Sequence, residues 1–116
     1  MAKSIDWYYH RKNCTTCTKM LNLLEARGIS AKETISANTV RFEPAEALAL
    51  ARKCQKVIAA KGKSVVELNL KKEQVDDETL LKHLIGPSGK MRAPVIRHGN
   101  TLLVGFHDTA FDSILG

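Results

Sequence analysis

The sequence predicts an α/β domain, a mixed sheet with helices packed on its faces, and three observations carry that expectation. A β-branched and aromatic run, Ile5 to His10, is followed by an amphipathic run from Cys17 to Gly28, so a strand leads directly into a helix. Near the carboxyl end, Pro94 to His98 and Thr101 to Gly105 flank Gly99-Asn100, a two-residue turn of the Gly-X kind that closes a tight hairpin. Between these ends helical and extended patterns alternate, as they do in layered α/β architectures. The 116 residues suffice for one core, so 1–116 is read as a single domain.

Each element has its own signal. Ile5–His10 is the first strand, placed centrally, and the polar Arg11-Lys12-Asn13 ends it. After Cys17, the apolar Met20, Leu21 and Leu24 recur at i+3, i+4 and i+7, which predicts a helix starting near Cys14 with Gly28 as its C-cap. Ala31–Ser36 is a second strand, diluted by Lys32, Glu33 and Thr34. Glu43 to Ala60 predicts a long helix, with Pro44 in the first turn, with Ala47, Leu50, Ala51, Cys54, Val57 and Ile58 on one face, and with Gly62 closing it. Val66, Leu68 and Leu70 alternate with Glu67 and Asn69, the pattern of a short extended or edge segment. Asp76 is the expected N-cap of a short helix, stapled by Val75 and Leu80 and ended by Gly86-Pro87. A loop from Ser88 to Arg92 leads to the hairpin, and Asp108–Leu115 is the last helix.

Composition excludes several classes. Hydrophobic residues at 44% and charged residues at 26% are ordinary globular usage, which rules out a disordered tail. The net charge of +6 favours acidic partners and oxyanions, but it is spread from Lys3 to Arg97, and with 5% aromatic residues few base-stacking platforms exist, so nucleic acid is not an expected partner. There is no run of 18 apolar residues and no signal-like start, so no membrane partner is expected and the cytoplasm is the expected location. Three cysteines, an odd number with two of them three positions apart, fit a reducing compartment better than a secreted disulfide framework.

Those two, in Cys14-Thr15-Thr16-Cys17, stand between a strand and a helix, the context in which a CxxC pair is read as redox-active. A cysteine at the start of a helix meets unpaired backbone N–H groups and the positive end of the dipole, which stabilise its thiolate, so Cys14 is the expected attacking thiol. Cys17, one turn on and in phase with Met20, Leu21 and Leu24, is the expected buried, resolving thiol. Arg11 and Lys12 add positive charge nearby, or are solvated loop residues. A structural zinc site needs four ligands; a second CxxC is absent, and Cys54, His10, His83, His98 and His107 have no finger-like spacing, so no metal is expected. Two inert core cysteines are the other alternative. Cys54 is expected to be buried and structural, and His10 to make a local hydrogen bond, with proton shuttling as the alternative. Trp7 reads as core, and Lys61-Gly62-Lys63 as a solvated corner. In Arg92-Ala93-Pro94 a proline opens a strand next to the redox loop, a place where a cis bond is sometimes retained.

Three stretches, Tyr8 to Cys17, Arg92 to Ile96 and Leu103 to Phe106, together resemble the arsenate reductase-like (ArsC/Spx) branch of the thioredoxin superfamily over nearly the whole chain. The resemblance implies a thioredoxin-like fold: a mixed four-stranded sheet flanked by helices, with a helical insert after the second strand and a cis Ala93–Pro94 bond. It implies that Cys14 is the reactive cysteine and that Arg92 holds an oxyanion or anionic substrate. Asn13, Thr15, Thr16, Ala93 and Pro94 are the expected substrate-binding positions around them. Three functions follow: a thiol–disulfide oxidoreductase, a glutathione- or glutaredoxin-linked arsenate reductase, and an Spx-like redox-switched regulator that binds RNA polymerase. None needs a bound cofactor; electrons would come from glutathione or a thioredoxin- or glutaredoxin-type donor protein, and the substrate would bear a disulfide or be an oxyanion. The chain departs from glutaredoxin-dependent arsenate reductases in having Cys17 as a second thiol and no arginine in Thr101-Leu102-Leu103-Val104, and their insert arginine is not matched, with Arg41 and Arg52 as the candidates, so the oxyanion cradle is incomplete. The disulfide reaction is therefore ranked first.

Overall fold

Side-chain alternation along the strands sorts the core into two layers. A computed structural model describes residues 4–12, 15–61, 64–86 and 89–115, without the side chains of residues 114 and 115. Its elements are β1 (Ser4–Ile5), β2 (Trp7–His10), α1 (Thr15–Ala26), β3 (Ser30–Ala31), β4 (Thr34–Ser36), α2 (Pro44–Arg52), β5 (Lys56–Lys61), β6 (Ser64–Asn69), α3 (Asp77–Leu84), β7 (Val95–His98), β8 (Thr101–Val104) and α4 (Asp108–Leu115). The main sheet has six strands in the order β4-β2-β7-β8-β5-β6, and β1 and β3 form a parallel pair beside it. Strand β2 runs parallel to β4 and antiparallel to β7; β8 runs antiparallel to β7 and parallel to β5; β6 is antiparallel to β5.

Period-two alternation then gives each strand one face to each layer. Trp7, Tyr9, Val57, Val95, Leu102 and Val104 join the cluster that holds Ala47 and Ala51 of α2 and Leu80 and Leu84 of α3. Tyr8, Ile58, Ile96 and Leu103 join the opposite cluster with Met20 and Leu24 of α1 and Phe111 of α4. The result is the thioredoxin-like α/β arrangement that the resemblance implies, with a mixed sheet flanked by helices.

Three departures refine it, the first being that the expected strand Ala31–Ser36 breaks at Lys32-Glu33 into β3, which pairs with β1, and β4, which pairs with β2. The expected strand Ile5–His10 bends at Asp6, whose carboxylate accepts from the Gly99 N–H at 2.8 Å and pairs with Lys32. The expected helix Glu43–Ala60 ends at Arg52, and Lys56–Lys61 is a strand. Lys53 and Cys54 N–H groups close the helix on Leu50 and Ala51, after which Gln55 and Lys56 both donate to the Asn100 carbonyl and start β5 alongside β8. The sheet therefore has the four strands β4-β2-β7-β8 plus an added hairpin, and the helical insert is divided into α2 and α3 by that hairpin.

The remaining expectations hold locally. The Glu46 carboxylate accepts from the Glu43 N–H at 3.1 Å, with Pro44 opening α2. Asp76 caps α3 by accepting from the Thr79 N–H at 2.8 Å, while Val75 and Leu80 join the same cluster. Arg52 ties the helices together, donating at 2.7 Å to both the Val75 carbonyl and the Asp77 carboxylate. Asn13, Cys14, Gly62, Lys63, Pro87 and Ser88, on which several expectations rest, lie outside the described residues. Among the described residues no helix is long and apolar enough to cross a membrane.

Candidate active site

Strand β2 delivers its two tyrosines to opposite faces. The Tyr8 hydroxyl sits 2.5 Å from His10 Nδ1 and 3.4 Å from the Cys17 carbonyl oxygen. A neutral imidazole with its proton on Nδ1 satisfies both: His10 donates to the Tyr8 oxygen, and the Tyr8 hydroxyl donates to the carbonyl. This pair fastens the first turn of α1, which carries the second CxxC cysteine, to the end of β2. Cys17 itself has no solvent exposure, as its phase with Met20 and Leu24 predicts. Thr15 is exposed and Thr16 half-buried in the same turn, while Asn13 and Cys14 are not described.

Burial holds the His10 pKa below its ordinary value. A histidine kept neutral in the fold takes up its proton more readily when unfolded, so the unfolded state binds more protons and stability rises with pH through that window. Melting temperature is therefore expected to fall as pH drops from about 7 through the ordinary histidine range near 6.5. His10→Asn should flatten that slope in a pH series of thermal melts. His83, also depressed by burial and by Lys82 and Arg92, retains a residual slope.

Tyr9 faces the other layer. Its hydroxyl donates to the Val40 carbonyl at 2.8 Å and accepts from the Phe42 N–H at 3.3 Å, which fixes the loop that carries Arg41. Its ring stacks on Trp7 at 5.6 Å between centroids. Beside it opens a cleft of about 240 Å³ lined by Tyr9, Met91 and Ala93 and by four basic residues, Arg11, Arg41, Lys90 and Arg92. No acidic side chain is among the described lining residues, and Glu43 reaches Lys90 only as an ion pair. Arg11 and Arg41 make no hydrogen bond or ion pair among the described residues, so their guanidinium groups are available to an anion.

Arg92 is placed differently from a simple anion holder. Its half-buried guanidinium donates to the Ala60 carbonyl at 2.5 Å and contacts the His83 carbonyl at 3.4 Å, so it ties β5 to the end of α3 while lining the cleft. Burial lowers its pKa, yet a guanidinium stays charged at neutral pH. The Ala93–Pro94 bond that follows is cis, as the resemblance implies, and the buried Pro94 accepts from the Gly105 N–H at 2.8 Å.

The structure also separates the two candidates for an insert arginine: Arg41 lines the cleft, whereas Arg52 is committed to Val75 and Asp77. Cys54 is buried as expected, and burial pushes its thiol pKa up, although it follows α2 rather than lying within a helix. His107 caps α4 by accepting from the Ala110 N–H at 3.2 Å. Met91 and Lys90 went unread in the sequence, because only the loop's return beside Tyr9 gives them a place.

A cis-proline loop against the strand that precedes a CxxC agrees with a comparison to known families. The ArsC family model matches residues 9–114. The chain belongs to the ArsC family. A solved structure titled YffB superposes with a TM-score of 0.56 at 19% identity, covering 95% of this chain and 98% of that one, which supports the thioredoxin-like fold. No curated protein matches the sequence. Membership in the ArsC family makes this a protein of the thioredoxin superfamily with a redox character in general.

Proposed function

We propose that this ArsC-family chain is a thiol–disulfide oxidoreductase that works through Cys14 and Cys17 on substrates bearing an anionic group. The observation that carries the reading is the cleft beside Ala93, where Arg11, Arg41 and Arg92 converge with Lys90, which pairs with Glu43, and no acidic side chain is among the described lining residues. In this reading the Cys14 thiolate attacks one sulfur of a substrate disulfide, forming a mixed disulfide and expelling the other sulfur as thiolate. Cys17 then attacks the Cys14 sulfur and releases the second substrate thiol. The substrate has gained two electrons and the protein holds a Cys14–Cys17 disulfide, which glutathione or a thioredoxin- or glutaredoxin-type dithiol reduces again. Complete burial suits Cys17 to the second step, since external disulfides cannot reach it.

Steady-state assays with oxidised glutathione, which carries carboxylates, and with uncharged bis(2-hydroxyethyl) disulfide test the cleft. Arg41→Ala is expected to raise KM for the anionic disulfide about tenfold, the loss of one charge-assisted bond, and to leave the neutral one unchanged. Equal effects on both substrates would remove the cleft from the reading. Arg41 is the better probe because Arg92→Ala also frees the Ala60 and His83 carbonyls.

The shared placement of Arg41 and Arg92 also favours a second reading, arsenate reduction. There arsenate accepts two electrons from thiols and leaves as arsenite. Arsenate-dependent turnover with glutathione and glutaredoxin, reduced at least tenfold by Arg41→Ala, is its expected sign; no turnover with any thiol donor would sink it.

A further inference from the structure

Arg92 separates the basic cleft from a second groove of about 290 Å³, which the added hairpin creates. Ala59 and Val66 form its floor, Ile85 its apolar wall, and Lys61, Lys82 and Arg92 its charges. No acidic side chain is among its described lining residues, and Lys61 and Lys82 make no ion pair among the described residues.

The groove lies over one face of the β5–β6 hairpin, and the outer strand of that hairpin is an open sheet edge. Strand β6 is the outermost strand, paired only with β5, and along an antiparallel edge every second residue turns its N–H and C=O away from the sheet. Among the described residues no backbone bond reaches that side of Val65, Val66, Glu67 or Leu68. The usual protections of an edge are missing: β6 is six residues long, has no proline, and leaves Val65 and Val66 40% and 39% exposed. Its one charged side chain, Glu67, is paired with Lys56 on the opposite face.

We infer that β6 and this groove are a docking site for an extended acidic segment of a partner polypeptide. The segment adds to the sheet as a further strand, its backbone pairing with β6 and alternate side chains entering the groove, apolar ones on Val66 and carboxylates at Lys61 and Lys82. A second copy of this chain fits worse. Antiparallel self-pairing of β6 would bring the Lys71-Lys72 end of one copy beside the Lys61 and Lys82 of the other, on top of a net charge of +6 per chain. The site needs no thiol chemistry, so it stands apart from the reductase reading.

The probe is a fluorescein-labelled eight-residue peptide in which pairs of valines alternate with pairs of glutamates, so that each face of the extended strand presents both, titrated with the full chain and read by anisotropy and by amide NMR shifts. Saturable binding is expected, with shifts concentrated on residues 64–69 and slowed amide exchange along that strand. Lys61→Glu combined with Lys82→Glu, both exposed changes, should weaken it at least tenfold, and the valine–lysine counterpart peptide should bind at least tenfold less tightly. Cys14→Ser should bind like the parent, which separates this outcome from any failure of the reductase reading. Absence of binding, equal binding of the lysine peptide, or shifts centred on Arg11 and Arg41 would overturn the assignment. So would a concentration-dependent dimer in sedimentation with no peptide binding, which would give the edge to self-pairing instead.

Discussion

Gly105→Ala is expected to lower the unfolding free energy by about 2–5 kcal/mol, among the largest effects of any single methyl group added to this chain. Gly105 follows β8 at φ +90°, a region that L side chains rarely adopt. A Cβ there would stand 2.5 Å from the Ala60 carbonyl oxygen and 3.1 Å from Arg92 Nη2. Neither can yield freely, because that carbonyl accepts the Arg92 bond and belongs to a strand paired on both sides. Gly28 supplies the control: it also has positive φ, 65°, but a Cβ there meets nothing within 4 Å, so Gly28→Ala should cost only the backbone share, about 1–2 kcal/mol. Chemical denaturation of the two variants measures the difference. If they lose the same stability, the close approach at Gly105 carries no energy.

The same substitution has a functional reading. Gly105 donates to Pro94, and its missing side chain leaves space for Arg92 to bridge Ala60 and His83. Three segments distant in sequence thus meet at one glycine beside the cleft. Gly105→Ala should displace the Arg92 guanidinium and raise KM for an anionic disulfide, whereas Gly28→Ala should not.

Most of the architecture was legible because local signals agreed. The phase of Cys17, Met20 and Leu24, the Asp76 cap and the Gly99-Asn100 turn each named an element that the structure contains. The long helix failed at its second half for a definite reason. Val57-Ile58-Ala59-Ala60 is a continuous apolar run buried on both faces, since β5 lies between β8 and β6 with a helical layer on either side. Such a run continues a helical phase as readily as it makes an internal strand, and periodicity alone does not separate them. The bonds that decide it, from Gln55 and Lys56 to Asn100, are made across the sheet. The site divides along the same line. The CxxC and the Arg-Ala-Pro were visible because they are contiguous, while the cleft depends on residues 11, 41, 90 and 92, which only the fold brings together.

Under the proposed dithiol mechanism, Cys17→Ser is expected to stop after the first exchange and to trap the mixed disulfide. The change keeps the size of a side chain that has no exposure and sits in phase with Met20 and Leu24, so the fold should persist, as a thermal melt can verify. With oxidised glutathione the variant should stop after one chemical step, and intact mass should show one glutathione joined to Cys14. Turnover should fall at least about 1000-fold, roughly 4 kcal/mol in barrier, because the only remaining exit is slow attack by an external thiol. Cys14→Ser should form no adduct at all, since Cys17 is out of reach of the substrate. The pair of variants also separates the two reductase readings. A single-thiol arsenate reductase passes its electrons through an external thiol and has no use for Cys17, so undiminished arsenate turnover in Cys17→Ser would favour that chemistry. A trapped adduct with lost disulfide turnover is the result that only a dithiol mechanism produces.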